Sequence, residues 1–275
     1  MPNTDSRPNR TIGSCICVPQ DDALIDDPHL HRMQSLYLVY LDRHHLGDDL
    51  FLKSLAQQLS EAGTEALPCL LVHGSGEKVE RTLEARGHFP ERTDGVLDVE
   101  TEDQRKLVER AVREVNQEIV AILTDEVVST VGIQGVDRGL FHMPASGEPL
   151  RADNAGWISA LVKQHVVPVV SALVEAPDTG AVREVGTGEA VRALAQALTA
   201  SFEPVACVLS TADAPGLPDG DGGMQAEAGI DALDDGPVPE PAAARRLVEA
   251  GVPVMVTSLS GLFGGPTPTG TRLQS

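Results

Sequence analysis

Leu70-Leu-Val-His-Gly-Ser-Gly-Glu-Lys-Val-Glu-Arg-Thr-Leu-Glu-Ala-Arg-Gly87 reads as a buried strand, a glycine turn and a helix in succession. Leu70, Leu71 and Val72 form a short apolar run, Gly74-Ser75-Gly76 lets the backbone turn tightly, and Val79 and Leu83 follow at helical spacing, with Gly87 as the stop. A helix that starts directly after a strand points unpaired backbone N–H groups and its positive dipole end at one spot, which suits a phosphate or a carboxylate. The turn is not a dinucleotide fingerprint, whose third glycine would fall at Val79, and it is not a P-loop, because no Gly-Lys-Ser/Thr follows. The bland alternative is a tight strand-to-helix connection with no ligand.

The chain around this stretch has 275 residues, long enough for one large domain or two small ones, and its 41% apolar composition is enough for a real core. Its net charge of -20 argues against nucleic acid and against an anionic membrane surface as partners, since both demand a basic face. Only four of its 21 basic residues are lysine, against 41 acidic residues. That pattern resembles proteins of high-salt cytoplasm, where a dense anionic surface keeps a protein dissolved and salt screens its self-repulsion; drift in a GC-rich genome is the alternative. Cys15, Cys17, Cys69 and Cys207 make no disulfide framework, and no apolar run reaches the roughly 18 residues of a membrane span, so a cytoplasmic protein is expected. Cys15-x-Cys17 lacks the second cysteine or histidine pair of a metal site, and no metal ligands are assigned.

Residues 1–34, rich in Pro, Asp, Asn and Arg, read as an N-terminal arm with one apolar patch at residues 12–18, and no secretory signal is expected there. Residues 36–41 read as a strand, followed by a loop holding His44 and His45. A helix from about Asp48 would put Leu50, Phe51, Leu55 and Leu59 on one face and stop at Gly63. Thr101 and Gln104 form a capping-box pattern that opens a long helix through Leu107, Ala111, Val115, Ile119 and Ile122. Residues 127–134 read as a strand ending in a second glycine turn, and residues 138–153 as a hairpin excursion. Then come a helix at 157–165, a strand at 166–173, an alanine-rich helix at 188–200 and a strand at 204–210. An acidic, glycine-rich loop at 218–240 precedes a helix at 242–250 and strands at 252–257 and 270–273. Such alternation predicts a largely parallel sheet covered by helices on both faces.

Several of these pieces, in this order, resemble the amino acid kinase family, and within it the acetylglutamate kinases. Val72-His-Gly-Ser-Gly76 is similar to a Val-His-Gly-Gly-Gly turn, Val115-Asn-Gln-Glu-Ile-Val-Ala-Ile-Leu123 to an Asn-Lys-x-Ile-Val-x-x-Leu helix, and Val131-Gly-Ile-Gln-Gly-Val-Asp137 to Val-Gly-Leu-Ser-Gly-x-Asp. Val166-Val-Pro-Val-Val170 resembles an Ile-Pro-Val strand, Asp213-Ala-Pro-Gly-Leu217 a nucleotide loop, residues 243–252 an Ala-Ala-Leu-x-Ala-Gly-Val helix, and Gly270-Thr271 a terminal Gly-Thr.

The resemblance covers residues 35–275 and implies one α/β domain, a three-layer α/β/α sandwich around a mainly parallel central sheet. Residues 35–180 would form its substrate-side lobe and residues 181–275 its nucleotide-side lobe. It implies substrate contacts at Gly74, Ser75, Gly76 and position 97, and nucleotide contacts at Gly132, Gly135, Asp213, Pro215 and Gly216. It further implies ATP and Mg2+ as cofactors of any active form, a small acyl amino acid or nucleotide as ligand, and a homodimer formed through residues 112–123. The activity implied is phosphorylation of the side-chain carboxylate of N-acetylglutamate, in arginine biosynthesis.

The chemical positions depart from the pattern. Tyr40 stands where the family's first strand carries a lysine, and Glu240 where a second lysine precedes the helix ending Ala-Gly-Val. Gly222-Gly223-Met224 resembles the start of that second motif, but no Pro-Lys follows it. The asparagine-rich motif between them becomes Glu184-Val-Gly-Thr-Gly188, and the arginine that grips the substrate carboxylate becomes Leu97, so that Arg92 would have to approach from another turn. Two readings stand: a degenerate, ligand- or partner-binding pseudoenzyme with Tyr40, Gly188 and Glu240 at the emptied catalytic positions, and a working phosphotransferase that recruits other cations, such as Arg43, Arg183 or extra magnesium.

Overall fold

A computed structural model describes residues 33–63, 67–93, 95–144, 148–212, 214–219, 223–234 and 236–275, and all of these fall in the compact unit Met33–Ser275. The patch at residues 12–18, Cys15, Cys17 and Asp213 lie outside the described residues.

Eight strands build the central sheet: β1 (Ser35–Leu41), β2 (Cys69–His73), β3 (Thr130–Gln134), β4 (Val167–Ser171), β5 (Glu203–Leu209), β6 (Glu227–Gly229), β7 (Val254–Thr257) and β8 (Thr271–Gln274). Their order is β6-β8-β7-β5-β1-β2-β4-β3, parallel throughout except where β8 runs against β7. The strands at the centre are apolar along their whole length because both faces are covered. On one face Leu36, Leu38 and Tyr40 of β1 and Leu70 and Val72 of β2 meet α5 (Gly156–Lys163), α6 (Thr187–Leu198) and α7 (Pro241–Glu249). On the other, Val39, Leu41 and Leu71 meet α2 (Asp49–Ala62), α4 (Glu102–Asp125) and α8 (Leu259–Phe263). The two layers of helices around one sheet make the three-layer α/β/α sandwich.

Several local signals act as their chemistry dictates. Thr101 and Gln104 close a reciprocal capping box on α4, Gly63 ends α2 at φ 52°, and the stretch after the glycine turn forms α3 (Glu77–Glu84) with Val79 and Leu83 buried.

Four expectations are corrected. His44 and His45 are not in a loop: Arg43–Leu46 is a short helix, α1, and His45 is buried with Nδ1 2.8 Å from Asp42 Oδ2. Leu50 does not face the core. It is 74% exposed because Asp48 caps the helix at the Leu50 and Phe51 amides, which turns Leu52, Leu55, Ala56 and Leu59 inward. The acidic segment after Pro218 contributes a sheet strand, β6, which pairs with β8. The strand at residues 166–173 stops at Ser171, and Leu173–Glu175 turns back through Gly180 to pair with Val182–Glu184 as a separate hairpin.

Candidate functional site

Strand β1 is where the sheet's order reverses, with β2 on one side and β5 on the other, and in open parallel sheets the crevice outside the carboxyl ends at such a point is where ligands sit. Register carries those ends into one row: Leu41 pairs with His73, His73 with Ser171, and Ser171 with Gln134.

Tyr40, next to last in β1, is buried, and its hydroxyl donates a hydrogen bond to Glu240 Oε2, at the residue preceding the first turn of α7. Burial, then the Glu240 carboxylate, push the Tyr40 phenol well above its usual 10, so it remains a donor at neutral pH. The two positions assigned to lysines therefore bond to each other.

The glycine turn also holds an anion, and the anion is the protein's own. Glu184, at the end of its short strand, accepts the Ser75 backbone N–H at 2.5 Å on Oε1 and the Ser75 hydroxyl at 2.9 Å on Oε2. Burial raises its pKa, and the Ser75 N–H and the charge of Arg92 oppose that rise. A Cβ on Gly74 would stand 2.6 Å from Glu184 Oε1 and 2.7 Å from Thr187 Oγ1, so only glycine permits this approach.

Arg92 sits directly opposite Leu97 in the small hairpin Arg92–Thr93 and Val96–Leu97. It reaches Ser75 Oγ at 3.2 Å and the Gly95 carbonyl at 2.7 Å, and it pairs with Glu80, to which Arg43 also lies 3.7 Å away. Leu97 itself packs with Val79, Leu83 and Val108.

Beside these contacts opens a cavity of about 670 Å³, within the usual range for small-molecule sites. Leu97, Gly186, Gly188, Glu184 and Glu189 line it together with Arg105, Arg183, Arg192 and Arg246. In a chain of net charge -20, the four arginines on this cavity outnumber its three carboxylates, Asp98, Glu184 and Glu189, so the lining is less acidic than the chain as a whole. Of these residues Leu97, Gly188 and Glu184 stand at family motif positions in the sequence, whereas Arg105, Arg192 and Arg246 belong to no motif. One signal was available: Gly188 and Arg192 are four apart, so they share a helix face.

The residues assigned to a nucleotide do not gather in one place. Pro215 and Gly216 follow β5, whereas Gly132 and Gly135 lie on and after β3, four strand spacings or about 19 Å away along the sheet. The two glycine turns end strands that are not neighbours, because β4 lies between them. Gly132 leaves room for Asn116, since a Cβ there would lie 2.4 Å from Asn116 Oδ1, and Gly135 is pressed against the Leu173 and Ser171 carbonyls. Gly216, at φ 127°, packs on Thr271. Asn116 in turn donates to His73 Nε2 at 3.0 Å and to the Val169 carbonyl at 2.9 Å, while His73 Nδ1 bonds the Gly74 carbonyl at 3.0 Å. Full burial lowers the His73 pKa to about 4, so the ring is neutral, with its proton on Nδ1.

The model of the amino acid kinase family matches residues 39–233, most of the chain. The chain belongs to that family. Among curated members, the acetylglutamate kinase of Methanopyrus kandleri is 29% identical over 220 residues, covering 71% of this chain and 88% of the relative. That of Koribacter versatilis is 27% identical over 232 residues, covering 74% and 85%. Solved structures share the family's fold: N-acetylglutamate synthase from Neisseria gonorrhoeae has a TM-score of 0.61 at 17% identity, covering 88% of this chain, which spans 59% of the synthase. An isopentenyl phosphate kinase matches at TM-score 0.57 and 14% identity, over 87% of this chain and 100% of its own. This amino acid kinase family member thus shares the fold of these structures, and within it Tyr40 is hydrogen-bonded to Glu240.

Proposed function

We propose that this protein is an acetylglutamate-kinase-like member of its family that binds a small ligand or a partner and does not transfer phosphate. The observation that supports this reading most is the hydrogen bond between Tyr40 and Glu240. Phosphoryl transfer is catalysed by positioning and by neutralising charge on the moving group, and losing one such donor typically costs about 10²- to 10³-fold in rate. A carboxylate about 4 Å from phosphate oxygens adds roughly 4 kcal/mol of repulsion at an effective dielectric near 20. The phosphates of ATP would meet a phenol and a carboxylate at Tyr40 and Glu240 in place of two cations, so the side chains present there do not fit them, and no step is assigned to ATP or Mg2+. With Cys69 and Cys207 buried and unpaired, a cytosolic setting suits the chain.

The second reading, an active phosphotransferase on N-acetylglutamate or a related acyl amino acid, draws support from the arginines of the cavity. A coupled assay with ATP, Mg2+ and N-acetylglutamate in molar potassium chloride separates the two. We expect no turnover above background. Turnover of about 1 per second, within the ordinary enzyme range, would overturn the proposal.

A further inference from the structure

A turn that points amides at one spot is built to hold an anion. Here both Glu184 oxygens are engaged by one residue of that turn, the backbone N–H and the hydroxyl of Ser75. Glu184 comes from 109 residues away in the chain, is 8% exposed, and stands against Gly74 with Thr187 beside it. Arg92, which donates to the same Ser75 hydroxyl oxygen at 3.2 Å, supplies positive charge that favours the Glu184 carboxylate.

We propose that the Gly74-Ser75-Gly76 turn is a carboxylate-binding site whose resident occupant is the chain's own Glu184. The position is filled in the native protein, so a ligand entering the cavity places its acidic group elsewhere. Glu184 also ties the turn after β2 to the approach to α6, doing from within what a bound acid would do from outside. If the side chain is cut back, the turn keeps its two donors and its shape, and a free small carboxylate such as formate or acetate fits in the vacated space.

The test is chemical rescue of the full-length Glu184→Ala variant. Melting temperature is measured against formate, with chloride at matched ionic strength as the reference. We expect the variant to melt below the wild type and formate to raise its melting temperature saturably, by about 3 °C at ten times the dissociation constant. Chloride alone should give no such rise, and the wild type should not respond to formate. Glu184→Gln retains the shape and one acceptor for the Ser75 amide, so it should lose less stability and be indifferent to formate. The proposal is overturned if Glu184→Ala responds to formate only as to chloride, stays unfolded in both, or if Glu184→Gln responds as strongly as Ala. The readout involves no phosphoryl transfer, so it stands or falls separately from the proposed loss of activity.

Discussion

The Tyr40 hydroxyl donates a hydrogen bond to the carboxylate of Glu240 across 200 residues of chain, joining the end of β1 to the residue before the first turn of α7. Each residue alone looks like a lost lysine. Together they are a complementary pair, an uncharged donor and a carboxylate acceptor, that ties the strand at the sheet's switch point to the start of α7.

That pair predicts energetic coupling. Tyr40→Phe leaves a part-buried carboxylate without its donor, and Glu240→Gln weakens the acceptor. Denaturant unfolding of both single variants and the double variant should give a coupling of about 1.5–3 kcal/mol, as for hydrogen bonds to charged groups. Additivity within about 0.5 kcal/mol would show that the contact contributes nothing.

His73 predicts a pH dependence of stability. The fold holds the neutral ring, with a pKa near 4 against the ordinary 6.5, so as pH falls the unfolded chain takes up the proton first. The contribution is fully present above pH 6.5 and is lost progressively between 6.5 and 4, by an amount on the order of 3 kcal/mol. His73→Gln should remove this part of the profile. Parallel stability curves for wild type and variant between pH 7 and pH 4 would refute the assignment.

Gly132→Ala should destabilise through packing. The new methyl would meet Asn116 Oδ1 at 2.4 Å and push that side chain off His73 and the Val169 carbonyl. A loss of about 1–3 kcal/mol is expected from overpacking. An unchanged melting temperature would mean that Asn116 moves aside freely.

The net charge of -20 predicts a salt requirement. Self-repulsion should loosen the fold in dilute buffer, and screening should restore it. Melting temperature should climb by several degrees between low and molar potassium chloride, and a flat profile would refute this.

A homodimer through α4 is proposed by likeness to the family. The outward face of the helix carries Glu114, Gln117, Glu118 and Ala121, all exposed, while Val112, Val115 and Ile119 are buried within the protein. Light scattering in molar salt should give twice 29.1 kDa, and Ala121→Arg should lower it; a wild-type monomer at micromolar concentration would count against the proposal.

Much of the fold was legible because it is local. The switch from continuous apolar runs to helical spacing, the Thr101 capping box, and the glycines at 63 and 87 specify which segments are strands and helices and where they end. The order of motifs was enough to point to the family, and composition alone set the acidic character. Local patterns do not say which parallel strands become neighbours, because crossovers of any length join them. The placing of β4 between β2 and β3, which parts the two glycine turns, was therefore decided only by tertiary structure. The same holds for Tyr40 with Glu240 and for Ser75 with Glu184: at separations of 200 and 109 residues no periodicity links them. A buried carboxylate needs a donor, but only the packed sheet and its helices determine which donor lies within reach.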